Sequence, residues 1–198
     1  MNKLVFFLGP GGAGKTTLAK AVAARRKAAV MDMDILLRPA ATAILTMHGL
    51  DPDDRDSDEY KRLCRDLGYR ITMDAALDNI GLSADIYVVG PFTKEAADPE
   101  WIGAELRRIG RTLQEVDVKV VLVTLADEAL FRERITGRNS PLDGWKFRNW
   151  EQFRTAFSPR TVAWPLPEAS VTVIDNSSPE LEVTVGKVEQ FIYGNEPG

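Results

Sequence analysis

Five short apolar runs alternate with stretches of helical periodicity along this chain. The runs cover residues 3–8, 28–31, 84–92, 118–125 and 169–177. Helical patterns lie at 15–26, from Ile35, at 60–79, from Asp127 to Gly137, and at 179–193. The first run, KLVFFL, lacks polar alternation, which is typical of a strand buried on both faces of a parallel sheet. The pattern predicts a three-layer α/β fold, with helices on both faces of a five-stranded parallel sheet.

The composition is that of a globular domain without covalent or metal cross-links. The chain has 198 residues, and its 25 Lys and Arg against 29 Asp and Glu give a net charge of -4. Cys64 is the only cysteine, which excludes a disulfide framework and a multi-cysteine zinc site. No apolar run approaches the roughly 18 residues of a membrane span, and no cleavage site follows the first run. We therefore expect a cytoplasmic protein, a monomer because no apolar seam stands out, with little general attraction to nucleic acid.

The sharpest motif is a glycine-rich loop between the first strand and the first helix. Residues 9–16 read GPGGAGKT, which satisfies the phosphate-loop pattern G-x-x-x-x-G-K-[ST]. The glycines let the backbone curl so that its N–H groups point at a phosphate, and the helix N-terminus adds partial positive charge. Lys15 is expected to reach the terminal phosphates, and the Thr16 hydroxyl to ligate Mg²⁺. The predicted nucleotide-binding residues are Gly11, Gly12, Ala13, Gly14, Lys15, Thr16 and Thr17.

The rest of the sequence favours a kinase over a hydrolysing motor or a guanine-nucleotide switch. The fourth strand ends TLAD, without the Asn-Lys-x-Asp that a switch uses to read the base, and the third ends VVGPF, without the acidic pair of a motor. Asp32 and Asp34 follow the second strand, at the edge where ligands of open α/β sheets bind. A carboxylate there can orient an alcohol and accept its proton, although Asp34 also suits the cap of a helix that begins at Ile35.

These motifs together resemble the small P-loop kinases, a group that includes shikimate and gluconate kinases, zeta-toxin-like kinases and chloramphenicol phosphotransferase. The resemblance rests on GPGGAGKTT, on the D-x-D after the second strand and on the arginine-rich segment after the fourth. It implies a sheet of order 2-3-1-4-5 in a single domain over 1–198, with a substrate-binding helical region at 38–80 and a lid at 132–160. It also implies that Asp34 binds the acceptor hydroxyl and that Asp32 lies near Mg²⁺.

The resemblance extends loosely to other acceptor contacts. Gly90 and Phe92 lie where shikimate kinase has a substrate-lining turn, and Arg70 lies where related kinases carry a substrate-contacting arginine. Arg38 follows Asp34 by one turn and is placed to meet an anionic acceptor or to pair with Asp34. Each residue also has an ordinary structural explanation, as a turn glycine, an apolar side chain or a surface arginine.

The lid prediction rests on a basic segment. Residues 132–160 hold seven basic and three acidic side chains. Arg134 and Arg138 resemble the lid arginines of shikimate-kinase-like enzymes, which stabilise charge on the transferring group. The aromatic residues of 145–153 have the spacing of one buried helix face. Asn176 follows the fifth strand, where this kinase group wraps a backbone loop around adenine.

The sequence thus predicts an ATP- and Mg²⁺-dependent kinase for a hydroxyl of a small molecule. The predicted catalytic residues are Lys15, Asp34, Arg134 and Arg138. The acceptor itself is not identified by any pattern. Two alternatives stay open, a nucleotide-dependent regulatory ATPase and a polynucleotide 5′-hydroxyl kinase, which the basic segment favours and the overall acidity opposes.

Overall fold

Five parallel strands form the central sheet. The computed structural model describes residues 2–82, 84–157 and 160–194. The strands are β1 (Lys3–Leu8), β2 (Ala29–Asp32), β3 (Ile86–Gly90), β4 (Asp117–Thr124) and β5 (Val171–Asp175). Their order is β2-β3-β1-β4-β5, which confirms the predicted order. Because β1 is central, the loop after it lies at the middle of the carboxyl edge of the sheet.

Helices cover both faces of this sheet. They are α1 (Lys15–Arg26), α2 (Met33–Met47), α3 (Asp58–Tyr60), α4 (Asp66–Asn79), α5 (Thr93–Ala97), α6 (Trp101–Arg107), α7 (Glu128–Gly137), α8 (Gly144–Arg148), α9 (Trp150–Phe153) and α10 (Leu181–Tyr193). A π-helical turn, Lys61–Arg65, joins α3 to α4. Within the described ranges, no helix is both long and apolar enough to cross a membrane.

The side chains of β1 show how the layers are assembled. Leu4, Phe6 and Leu8 pack on one face with residues of α4, α5 and α6. Val5 and Phe7 pack on the other face with residues of α1 and α10. All five side chains are fully buried, as the uninterrupted apolar pattern predicts. The predicted three-layer architecture is therefore confirmed, and the carboxyl ends of β1, β2 and β3 meet at one edge.

The start of α2 differs from the prediction. The helix begins at Met33, two residues before the predicted start at Ile35, because Asp32 and not Asp34 is its N-cap. A cap residue needs an extended backbone and an oxygen that accepts the first free N–H groups of the helix, and Asp32 has both. The carboxylate of Asp34 is thereby left outside the capping interaction.

The aromatic segment after α7 also differs from the prediction. Its spacing favours one buried helix face, but the helix is interrupted at Asn149, which separates α8 from α9. Phe153 is buried, whereas 42% of Phe147 is exposed. The segment therefore packs against the rest of the protein through single side chains of both short helices, Lys146 of α8 and Phe153 of α9.

Candidate functional site

The phosphate loop connects β1 to α1 through backbone conformations that favour glycine. Gly9, Gly12 and Gly14 have φ angles of 147°, 90° and 89°. Helix α1 begins at Lys15, directly after Gly14. The free N–H groups of its first turn therefore lie at the end of the curled loop, which makes this end of the sheet a binding site for an anion.

Neighbouring elements leave no room for a Cβ on the loop glycines Gly9 and Gly14. A Cβ on Gly9 would lie 2.2 Å from the Val123 carbonyl oxygen, and one on Gly14 would lie 2.4 Å from Asn176 Nδ2. Gly11 differs, since a Cβ there would lie 3.4 Å from the Phe153 ring and 3.6 Å from Lys146 Cε, which are ordinary contacts. The loop is thus held rigidly by β4 and by the end of β5, and is covered by the segment after α7.

We expect Gly9→Ala to lower the free energy of unfolding by about 3 kcal/mol or more, because the new methyl meets backbone and φ stays at 147°. Gly11→Ala is the matched control, with an expected change below about 1 kcal/mol. Urea denaturation followed by circular dichroism measures both. Equal losses in the two variants would contradict this account of the loop.

Lys15 is the charge at the centre of the site. Its side chain is half-buried, and Nζ donates a hydrogen bond of 2.8 Å to the Pro10 carbonyl. Burial lowers the pKa of Lys15 to about 8, against the opposing effect of the Asp34 carboxylate. Arg160 and Arg138 act in the same direction as burial. The ammonium therefore lies among charges of both signs, in a place that a polyphosphate would stabilise.

Asp32 joins the phosphate loop to the second strand. Its Oδ2 accepts a hydrogen bond of 2.6 Å from Thr16 Oγ1, and its Oδ1 accepts one of 2.9 Å from the Asp34 N–H. Only 5% of Asp32 is exposed. Two hard oxygen donors in contact at the start of α1 fit Mg²⁺, which prefers carboxylate and hydroxyl oxygens and retains water or phosphate oxygens. Among the described residues, no group of three or more acidic, His or Cys side chains forms a metal site.

Asp34 extends the site toward α3. Its side chain is exposed in the first turn of α2. Burial raises the pKa of Tyr60 well above its usual range, and Asp34 adds to that rise. Asp34 also raises the pKa of Lys15, so its exposed carboxylate lies within electrostatic reach of both the phosphate loop and α3.

The two predicted lid arginines have different partners. Arg134 is half-buried, and its guanidinium donates a hydrogen bond of 2.7 Å to the Asn176 carbonyl beside Gly14. Arg138 is nearly half exposed and forms an ion pair of 3.1 Å with Asp143. Both cations therefore lie beside the loop, Arg134 against its end and Arg138 within electrostatic reach of Lys15.

Asn176 contacts the phosphate loop directly. Its Nδ2 donates a hydrogen bond of 2.9 Å to the Ala13 carbonyl, and its backbone N–H donates to Thr124 at the end of β4. The residue is 4% exposed. The side chain predicted to contact the nucleotide is thus used to support the loop, and a contact of this region with adenine stays a prediction.

Gly90 and Phe92 are buried in the core, and a contact of either residue with the acceptor stays a prediction. Phe92 has no exposed surface, and its ring packs against those of Phe6, Tyr69 and Trp101 at 4.7 to 5.7 Å. Gly90 is required by this packing, because a Cβ on it would lie 2.8 Å from the Phe92 ring. The absence of a side chain on Gly90 thus makes room for the aromatic ring of Phe92.

The two remaining candidates for an acceptor contact, Arg70 and Arg38, have different surroundings. Arg70 donates two hydrogen bonds of 2.9 Å to the Glu105 carboxylate and pairs with Asp74. It lines a cavity of about 190 Å³ between α4 and α6. Arg38 is exposed on α2. An acceptor contact would require Arg70 to leave two carboxylates, so its fixed pairing favours a structural role.

The structure adds cations and carboxylates that the sequence did not single out. Arg160 is half-buried, donates a hydrogen bond to the Pro91 carbonyl and lies within electrostatic reach of Lys15. Lys146 lies over Gly11 and pairs with Asp143 and Asp56. The only sequence signal for these residues was the excess of basic side chains in 132–160.

Solved structures share this fold at low sequence identity. A candidate kinase from Chloroflexus aurantiacus has a TM-score of 0.64 at 16% identity, over 96% of this chain and 98% of its own. A sugar kinase from Janibacter sp. has a TM-score of 0.61 at 16% identity, over 98% and 97%. The APS kinase of Mycobacterium tuberculosis, solved with AMPPNP and APS, has a TM-score of 0.55 at 20% identity, over 96% of each chain. Neither a family model nor a curated protein matches the chain.

These similarities concern the fold. They extend over nearly the full length of both chains. They confirm at the level of fold the resemblance to small P-loop kinases that the sequence indicates. A fold hosts many activities, so the activity is argued from the residues of the site.

Proposed function

We propose that this protein is a kinase that transfers the γ-phosphoryl group of ATP to a hydroxyl of a small molecule. The observation that carries the proposal is the contact between the Thr16 hydroxyl and the Asp32 carboxylate, with Asp34 two residues further on and Lys15 beside it. A motor or a switch does not need an exposed carboxylate at this place. A kinase needs one, because its second substrate is an alcohol that must be oriented and deprotonated.

Each residue has a defined task in such a transfer. Lys15 and the first turn of α1 hold the phosphates, and Thr16 and Asp32 would hold Mg²⁺, which when bound neutralises charge on the phosphate oxygens. The carboxylate of Asp34 orients the acceptor hydroxyl and takes its proton as the new O–P bond forms. Arg134 and Arg138 would stabilise the negative charge that spreads over the transferring group.

ATP and a small acceptor are the substrates that best suit the surroundings. The structurally similar APS kinase was solved with the ATP analogue AMPPNP, which supports an adenine nucleotide as donor. Three of the seven cations of the basic segment 132–160 pair with carboxylates, which reduces the charge that the segment offers to a polynucleotide; they are Arg138, Lys146 and Arg154. The acceptor region is expected at 38–80, opposite the lid at 132–160.

The test is ADP release from ATP and Mg²⁺, with and without pools of hydroxylated metabolites, nucleosides, aminoglycosides and oligonucleotides. We expect one small-molecule pool to accelerate release at least tenfold, and Lys15→Met to abolish the stimulation. Stimulation by oligonucleotides alone would identify a polynucleotide kinase. Tight ATP binding with slow release that no pool accelerates would support a regulatory ATPase instead.

A further inference from the structure

Lys146 lies on the phosphate loop but is held there by carboxylates. Its Cε lies 3.6 Å from the position that a Cβ on Gly11 would occupy. Its Nζ is 2.7 Å from Asp143 Oδ1 and 3.3 Å from Asp56 Oδ2, and only 12% of the side chain is exposed. The last carbon of a mostly buried lysine side chain thus lies against the third residue of the phosphate loop, with the ammonium one bond further on.

The two carboxylates are poorly satisfied in this arrangement. Asp143 is 3% exposed, and its buried Oδ2 has no hydrogen-bond partner. The buried Oδ2 of Asp56 accepts no hydrogen bond that meets normal geometry, although Lys146 lies within ion-pair distance. Burial also raises the pKa of Asp56, despite the nearby ammonium. Buried carboxylate oxygens without donors are unfavourable, so both carboxylates depend on nearby cations such as Lys146 for compensation.

We propose that Lys146 is a further phosphate ligand of the nucleotide site, with Asp56 and Asp143 serving as its counter-ions while no phosphate is bound. The inference rests on the proposed nucleotide binding and deepens it. A polyphosphate on the loop carries more negative charge than either carboxylate, and the side chain of Lys146 already lies beside the loop at Gly11. In the unliganded protein Arg138 also pairs with Asp143 at 3.1 Å, so this buried carboxylate has a second counter-ion.

Two roles of Lys146, binding phosphate or only joining two segments by an ion pair, predict different changes of nucleotide affinity in two variants. If Lys146 binds phosphate, Lys146→Met weakens nucleotide binding, whereas Asp56→Asn removes a competing counter-ion and strengthens it. If the ion pair between Lys146 and Asp56 only holds the segment 132–160 against the region 38–80, both substitutions break the same contact. Both then shift the nucleotide affinity in the same direction.

The experiment is calorimetric titration of the full chain with AMPPNP and Mg²⁺. We expect the dissociation constant to rise roughly tenfold or more in Lys146→Met and to fall about threefold in Asp56→Asn. Arg148→Met is the matched control, since it removes one exposed lid cation, and its constant is expected to stay within about twofold of the wild type.

Unchanged binding in Lys146→Met, or losses of similar size in Lys146→Met and Asp56→Asn, would overturn the inference. Wild-type protein that fails to bind AMPPNP would overturn the proposed function itself, which separates the two failures. Thermal unfolding without nucleotide shows whether either variant loses its fold. If Lys146→Met does unfold, Asp56→Asn alone decides, because weaker binding in that variant contradicts the competing role of Asp56.

Discussion

Asp34→Asn is expected to lower the rate of phosphoryl transfer by about 10²-fold or more and to change nucleotide affinity by less than about threefold. Asparagine has the shape of aspartate but cannot take a proton from the acceptor hydroxyl. The exposed side chain of Asp34 takes no part in capping α2, so we expect the substitution to leave the fold unchanged. ADP release with the acceptor from the pooled assay measures the rate, and titration with AMPPNP and Mg²⁺ measures the affinity.

Asp58→Asn is the matched control for this substitution. Asp58 is also an exposed aspartate in the first turn of a helix, on α3, and its pairing with Lys61 is at the surface. We expect both rate and affinity to stay near the wild-type values in this variant. A parallel loss of rate and affinity in Asp34→Asn would instead assign Asp34 to the metal or to the structure of the loop.

Nucleotide affinity is expected to fall roughly tenfold between pH 7 and pH 9, because Lys15 has a pKa of about 8 and must be protonated to bind phosphate. Binding at pH 8.5 should therefore take up a proton. Calorimetry in two buffers of different ionisation enthalpy measures this uptake directly. Lys15→Met is expected to bind at least tenfold more weakly at pH 7, with no uptake attributable to this residue.

Lys15 makes the stability of the unliganded protein change with pH in the opposite direction to the nucleotide affinity. Its folded-state pKa of about 8 lies below the ordinary value of 10.5. Between these values the unfolded chain holds a proton that the folded chain has released, so Lys15 makes the free energy of unfolding rise with pH. Comparison of urea denaturation at pH 7.5 and pH 9.5 in wild type and Lys15→Met isolates this contribution. A wild-type affinity that does not depend on pH would contradict the lowered pKa.

The part of the site that the sequence predicts is the part that is local in the chain. Strand β1, the loop and α1 follow one another within 3–26, and each leaves its own pattern of apolar residues, glycines and helical spacing. Asp32 and Asp34 are found for a similar reason, since the end of a parallel strand always lies at the ligand-binding edge. The order of the strands comes from the resemblance to kinases and not from any single run.

Other parts depend on contacts between distant segments. Lys146 and Gly11 are far apart in sequence, and nothing in a basic segment distinguishes the lysine that lies on the loop from those that face solvent. Asn176 likewise supports Ala13 through one side-chain amide. The resemblance places Phe92 at a substrate-lining turn, and nothing in the sequence shows that three aromatic rings from β1, α4 and α6 enclose it in the core. Such packing is decided by tertiary structure.

The two oxygens of the Asp32 carboxylate accept hydrogen bonds from two different elements. One oxygen caps α2, and the other accepts the Thr16 hydroxyl hydrogen. Asparagine at this position would keep the capping oxygen but would present a donor to Thr16, so the hydroxyl would have to turn its hydrogen away. Replacing one acceptor oxygen by a donor would therefore break the contact between the phosphate loop and the start of α2 while the cap of α2 remained. The orientation of the Thr16 O–H bond is thus what requires aspartate at position 32.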